Sequence, residues 1–175
     1  MKNKRRVNLI VSVFQIVLIL VAIAMLFLPA VKLTNDAGTT YTGFDVVFGK
    51  IETVKILVAT LQYTVFEFSI LNLVPYIGLV FTLVLILLML LTKNRGSKLI
   101  DFVLFLVLLV SAVLLLLTVE FSIVGNDFTE LYSALSGDNF KFSDYANLGV
   151  GAIIAGISTL LASLLSLFKC GTFDR

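Results

Sequence analysis

Two polar side chains stand inside long apolar runs, and they are the first candidates for chemistry. Gln15 lies midway along residues Val7–Leu28, and Asp101 lies about one turn into Leu99–Val119. A polar or ionisable group at hydrocarbon depth is costly, so it marks either a transport or proton-coupling site or a hydrogen bond between helices. For Gln15 the expected role is interhelical hydrogen bonding, with a transport site as the alternative. For Asp101 it is stabilisation by the helix N-terminus and by nearby Lys98, with proton coupling as the alternative.

Other reactive groups are sparse. There is no histidine, which removes the commonest general base and the commonest transition-metal ligand. The single cysteine, Cys170, allows no intrachain disulfide, and it stands too far from the end for prenylation. Asp127, Glu130, Asp138 and Asp144 make one connection acidic, and a solvated loop is expected there rather than a cation site. Gly96-Ser97-Lys98 lacks the preceding strand and the spacing of a phosphate-binding loop. The expectation is a protein without cofactor, metal or enzymatic activity.

The elements that carry these residues are set by hydropathy. Hydrophobic residues make up 59% of the 175 and charged residues only 14%, with a mean hydropathy of +1.10. Soluble domains carry about 25% charge. Four stretches have the roughly 20 apolar residues a membrane helix needs: Val7–Leu28, Leu73–Leu91, Leu99–Val119 and Leu148–Phe168. The fold class is therefore membrane all-α, a four-helix bundle. The first run exceeds a signal-peptide core and has Leu28 where a cleavage site wants a small residue, so it reads as an uncleaved anchor.

Charge sets the orientation. Lys2, Lys4, Arg5, Arg6, Lys93, Arg95, Lys98, Lys169 and Arg175 fall on one side. Only Lys32, Lys50, Lys55 and Lys141 fall on the other, together with most of the acids and all five tyrosines. The positive-inside rule places both termini in the cytoplasm of a plasma membrane. The net charge of +2 gives no reason to expect nucleic acid.

The two outer connections look alike. Val31-Lys32-Leu33-Thr34 and Val119-Glu120-Phe121-Ser122 leave the apolar runs, and Phe66-Glu67-Phe68-Ser69 and Phe140-Lys141-Phe142-Ser143 lead back. Each alternates apolar and polar residues, as strands do. Their charges are reciprocal, so Lys32 is expected opposite Glu67, and Glu120 opposite Lys141. Thr42 with Asp45 and Asp127 with Glu130 read as helix-capping boxes, closed by Gly49 and Gly137. This predicts a cap of about four short strands and an internal duplication, with residues 1–92 and 93–175 as repeats in one integral domain. Lys50–Thr64 reads as an amphipathic helix on the cap or on the membrane surface.

The last apolar run differs from the others. Gly149, Ala152, Gly156, Thr159, Ser163 and Ser166 recur at spacings of three and four, a stripe that lets helix backbones approach closely. Packing inside the chain's own bundle is the first reading, and an interface with another chain the second.

Four spans with a longer first outer loop and strands above the bilayer resemble the claudin-like tetraspan architecture. The resemblance covers layout alone, since the Trp and paired Cys of the claudin signature are absent. The segment Tyr41-Thr42-Gly43-Phe44-Asp45-Val46-Val47-Phe48-Gly49 is similar to a stretch in small four-span proteins of low-GC Gram-positive bacteria, which implies a bacterial plasma membrane. The functional expectation is a non-enzymatic membrane subunit. It would associate with other membrane or envelope proteins, or with itself, through its cap and fourth span, surrounded by membrane lipid. The alternative is a component of a homo-oligomeric channel or transporter.

Overall fold

A computed structural model describes residues 2–34, 39–56, 59–92, 98–136 and 141–172. Helix α1 (Lys2–Ala24) runs through a 3₁₀ turn at Met25–Phe27 into strand β1 (Pro29–Leu33). Strand β2 (Thr40–Thr42), the short helix α2 (Gly43–Phe48), and strands β3 (Lys50–Ile56) and β4 (Ala59–Phe66) follow. Helix α3 (Ile70–Leu91) and helix α4 (Lys98–Leu116) come next, then α5 (Asn126–Ser136) and the single turn α6 (Phe142–Tyr145). Strand β5 (Ala146–Leu148) leads into α7 (Val150–Thr172). Among the described residues, α1, α3, α4 and α7 are long and apolar enough to cross a membrane.

The four long helices share a core of Ile19, Ala22, Leu79, Ile86, Leu104, Leu108, Leu115, Ala155 and Ala162. Helix α7 lies against α4 and α1, and α4 lies against α3. A second core sits in the cap and centres on Phe66. Its ring meets Tyr41 edge-on at 5.0 Å and Phe142 at 5.4 Å, joining β4 to β2 and α6. The two segments that lead back into the bundle thus touch through their rings.

Strand β1 is the middle of a three-stranded antiparallel sheet, with β2 on one side and β5 on the other. The pairing thus crosses from the first outer connection to the second and across the 92/93 division, where pairing within each connection was expected. Lys32 stands opposite Thr40 and Asn147, not Glu67. Glu67 lies beyond the end of β4, and its N–H donates to the Ile123 carbonyl at 2.9 Å.

Three of the four expected strands do not form as written. Residues 119–121 continue as turns from α4, and the Ser122 hydroxyl bonds back to the Thr118 carbonyl at 2.7 Å and competes with extended pairing. Glu120 is therefore exposed on a turn. Lys141 precedes α6, whose Ser143 and Asp144 favour a turn over a strand, so the Glu120–Lys141 ladder has no strands to carry it. In the segment Phe66–Ser69, Ser69 accepts from the Asn72 N–H and caps α3. That helix begins three residues earlier than expected, which leaves Pro75 in its second turn.

The described residues of Lys50–Thr64 form the paired antiparallel strands β3 and β4, not a helix. Ile51, Thr53, Val54 and Ile56 are β-branched, and such side chains suit a pleated strand better than a helix. Glu52 faces Tyr63 across the ladder and accepts from its hydroxyl at 2.8 Å. Of the two capping boxes, that of Thr42 and Asp45 forms in both directions and α2 ends at Gly49, whose φ of 96° favours glycine. The other does not cap as expected. Helix α5 starts at Asn126, one residue before Asp127. Gly125 donates to the Val65 carbonyl at 3.0 Å, and residue 137 lies outside the described residues.

A Cβ at residue 125 would stand 2.2 Å from the Thr64 carbonyl oxygen. Gly125→Ala is therefore expected to destabilise the cap by about 1–3 kcal/mol, as overpacking does. Thermal unfolding of the detergent-solubilised chain checks this, and an unchanged midpoint would show that α5 can move off β4 freely.

Candidate functional site: a buried polar clamp at the terminal end of the bundle

Polar side chains on α1 recur at Asn8, Ser12 and Gln15. The spacing of four and three places them on one helical face. The facing helix α7 carries Ala162, Ser166 and Lys169 at the same steps of four and three. The two helices run antiparallel, so the positions meet in order. The Gln15 side-chain amide donates to the Ala162 carbonyl at 3.2 Å and to the Ser166 hydroxyl. The Lys169 ammonium donates to the Ser12 hydroxyl at 3.1 Å.

Helix α4 supplies the countercharge. Its first turn carries Asp101, whose carboxylate lies 3.7 Å from the Lys169 ammonium. The side chains of Asp101 and Lys169 are 0% and 3% exposed. Each sits at the helix end whose dipole favours it, the acid at the start of α4 and the base in the last turn of α7. The Cys170 thiol, next along, lies 3.5 Å from the Lys98 carbonyl and holds the same two ends together. Gln15 Oε1 and Asn8 Oδ1 are buried without a hydrogen-bond donor among the described residues.

Both intramembrane candidates from the sequence thus fall in one cluster. Gln15 makes the interhelical hydrogen bonds expected of it. Asp101 does lie in a first turn, and its ion pair is with Lys169 on another helix. Lys169 was counted only as a flanking charge. The missed signal was the continuation of the small-residue stripe, since Lys169 stands one step of three beyond Ser166. Ser12 was missed too, although it shares a face with Gln15.

The stripe itself packs inward. Ala152, Thr159, Ser163 and Ser166 are buried, and α7 is more buried than any other long helix. At Gly156 α4 packs tightly on α7, because a Cβ there would stand 2.6 Å from Leu116. Thr159 and Ser163 donate to carbonyls of their own helix at 2.7 Å, so they present small, satisfied surfaces. Gly149 precedes the helix and does a different job. It donates to the Ala30 carbonyl at 2.7 Å, and a Cβ would stand 2.4 Å from the Pro29 carbonyl oxygen. It seats β1 on the start of α7.

The strand-charge candidates do not join this cluster, as Lys32, Glu67, Glu120 and Lys141 are all exposed in the cap. No group of three acidic or thiol side chains placed to hold a metal occurs among the described residues. Compared with known proteins, the chain matches no family model and no curated sequence.

The clamp joins three helices at one depth through a buried charge pair. Removing one partner of such a pair leaves an uncompensated charge and costs about 3–5 kcal/mol, whereas replacing both with apolar residues is often neutral. Asp101→Leu and Lys169→Met are each expected to lose that much, and the double variant to regain most of it. Unfolding free energies in detergent for the four proteins check this. Additive losses would show that the pair does not act as a unit.

Proposed function

We propose that this chain is a multi-pass protein of a bacterial plasma membrane with both termini in the cytoplasm. It works without catalysis, as a subunit that associates with other membrane or envelope proteins or with its own copies. Four long apolar helices support the membrane part of this reading, and the excess of Lys and Arg at the clamp end supports the orientation.

Association is assigned to the cap, and one observation carries it. Strand β3 pairs only with β4 among the described residues, so one edge of a seven-residue strand remains open. An open edge offers unpaired backbone groups to an incoming strand. Ile51 on that strand is 65% exposed and adds an apolar contact. The fourth span plays no part in this assignment, because its small-residue face is occupied by α1 and α4.

The second reading is a channel or transporter component. The buried Asp101–Lys169 pair, with acceptors on Gln15 and Asn8 beside it that have no donor among the described residues, favours it. Flux in reconstituted vesicles that disappears in Gln15→Leu would decide for that reading.

Two measurements test the main proposal. A Gln62→Cys substitution in β4, made in a Cys170→Ser background, is expected to react with an impermeant maleimide in intact cells. Cys170 in the unmodified chain should react only after permeabilisation, and the reverse pattern would invert the topology. Crosslinking in native membranes followed by native mass spectrometry is expected to capture a defined complex. Ile51→Lys, a charge on the open edge, should reduce it roughly tenfold, about 1.4 kcal/mol. A lone monomer in both proteins would sink the subunit assignment.

A further inference from the structure

Helix α2 presents apolar side chains on both of its faces. Val46 and Val47 are buried toward the protein, while Phe44 and Phe48 turn outward. These two rings belong to a row that crosses from the end of α1 to the start of α3. Phe27 and Phe44 lie 6.2 Å apart, Phe44 and Phe48 4.6 Å, and Phe48 and Phe68 6.5 Å. All four are between 46% and 66% exposed. Single exposed rings are ordinary on a protein surface, but a continuous apolar patch marks a contact.

The polarity on either side of the row identifies that contact. Toward the bundle the row has no polar break. It continues into the outward faces of α1 and α3, where Leu20, Leu28, Ile70 and Ile77 are exposed. No charged residue occurs in 7–31 or 68–92. Toward the cap the row stops at an ion pair. Asp45 follows Phe44 directly and lies 3.3 Å from Lys50, whose side chain is partly exposed. Beyond that pair, β3 and β4 expose Thr53, Thr60 and Gln62. The end of α4 is different, since its apolar surface gives way at Glu120 without any such row. The order from hydrocarbon side chains through rings to charges and then to neutral polar groups is the order a bilayer leaflet imposes.

We propose that α2 is an interfacial element, with Phe44 and Phe48 set among the upper acyl segments of bilayer phospholipid and the Asp45–Lys50 pair at the headgroups. The proposal rests on the membrane reading above. It divides the cap in two, so that the α2 side faces lipid while β3 and β4 face water. Phenylalanine has no polar tip, so its ring belongs just beneath the headgroups rather than among them. Lipid reaches the row by continuing past the flanks of α1 and α3, and needs no groove or hydrogen-bond donor to do so. The stem of Lys50 can lie along the apolar surface while its ammonium stays hydrated.

The test uses the absence of tryptophan from the chain, because a single introduced Trp then reports on one position alone. Phe44→Trp, Phe48→Trp, Gln62→Trp and Phe81→Trp are each placed in nanodiscs, which leave both membrane faces open to solutes. The phospholipid carries bromine either near the glycerol or near the chain ends. Trp at 44 and at 48 should lose about half its emission to bromine near the glycerol, less to bromine near the chain ends, and little to aqueous iodide. Phe81, exposed midway along α3, should give the reverse order of the two bromines. Gln62→Trp should ignore both lipids and be quenched by iodide. Two positions on α2 are read so that one misfolded variant does not decide the outcome. Trp at 44 and 48 that behaves like Trp at 62 would put α2 in water, and Trp shielded from bromine and iodide alike would show a second copy covering the row. Either result overturns the proposal. If Phe81→Trp is quenched by bromine while both α2 positions are not, this proposal fails alone. If Phe81→Trp ignores bromine as well, the membrane reading fails with it.

Discussion

The close approach of α7 to α1 and α4 is the constraint on which the rest of the structure depends. On the membrane reading proposed above there is no hydrophobic drive between helices, so association rests on close packing and on polar contacts. Small residues along α7 supply the packing. Gly156 meets Leu116 with no room for a side chain, and Ala155 and Ala162 sit in the common core. The polar contacts are concentrated at one end, where Gln15, Ser12 and Asp101 all reach α7. Once those contacts fix the depth of α1 and α4 against α7, the helix ends that carry the cap are fixed too.

The cap completes the same arrangement at the other end. Strand β1 continues from α1, and β5 leads into α7, so their pairing joins the ends of two helices already packed together. Gly149 makes this geometrically possible by admitting the carbonyls of Pro29 and Ala30. Helix α4 is tied to the cap by a separate set of bonds. Ser69 donates to the Phe121 carbonyl at 2.7 Å, and the Asn72 amide donates to the Thr118 carbonyl at 3.3 Å. These polar groups satisfy backbone carbonyls where α4 unwinds, which an apolar environment would otherwise leave costly.

What was legible in the sequence divides by range. Long apolar runs give the four long helices directly, because their signal is spread over about 20 residues each. The Thr42–Asp45 cap was legible because its chemistry spans three residues. The role of Gln15 was legible because an amide within a long apolar run has few partners besides a neighbouring helix. The strand assignments failed where local alternation competed with hydroxyl groups that bond back to the chain, as at Ser122. The Lys50–Thr64 reading failed because four apolar positions fit a helical face while β-branching along the same segment favoured a strand. Pairings between distant segments leave no local trace. Nothing near Lys32 says that Asn147 will stand beside it, and nothing near Asp101 names Lys169.

The asymmetry of the bundle follows from having a single small-faced helix. Helix α7 has room on its surface for two close neighbours, and α1 and α4 take both places. Helix α3 therefore packs on α4, where Gly78 allows contact with Ser111. It approaches α1 only from the side. A seam between α1 and α3 is the geometric remainder of that order. Helix α2 lies over the seam, with Val46 and Val47 buried and Phe44 and Phe48 turned outward. A symmetric bundle would need small residues on a second helix to close this gap. The bulky Leu, Val and Phe side chains of α3 and α4 leave it open, so the composition of those helices decides the position of the seam as firmly as the stripe on α7 decides the core.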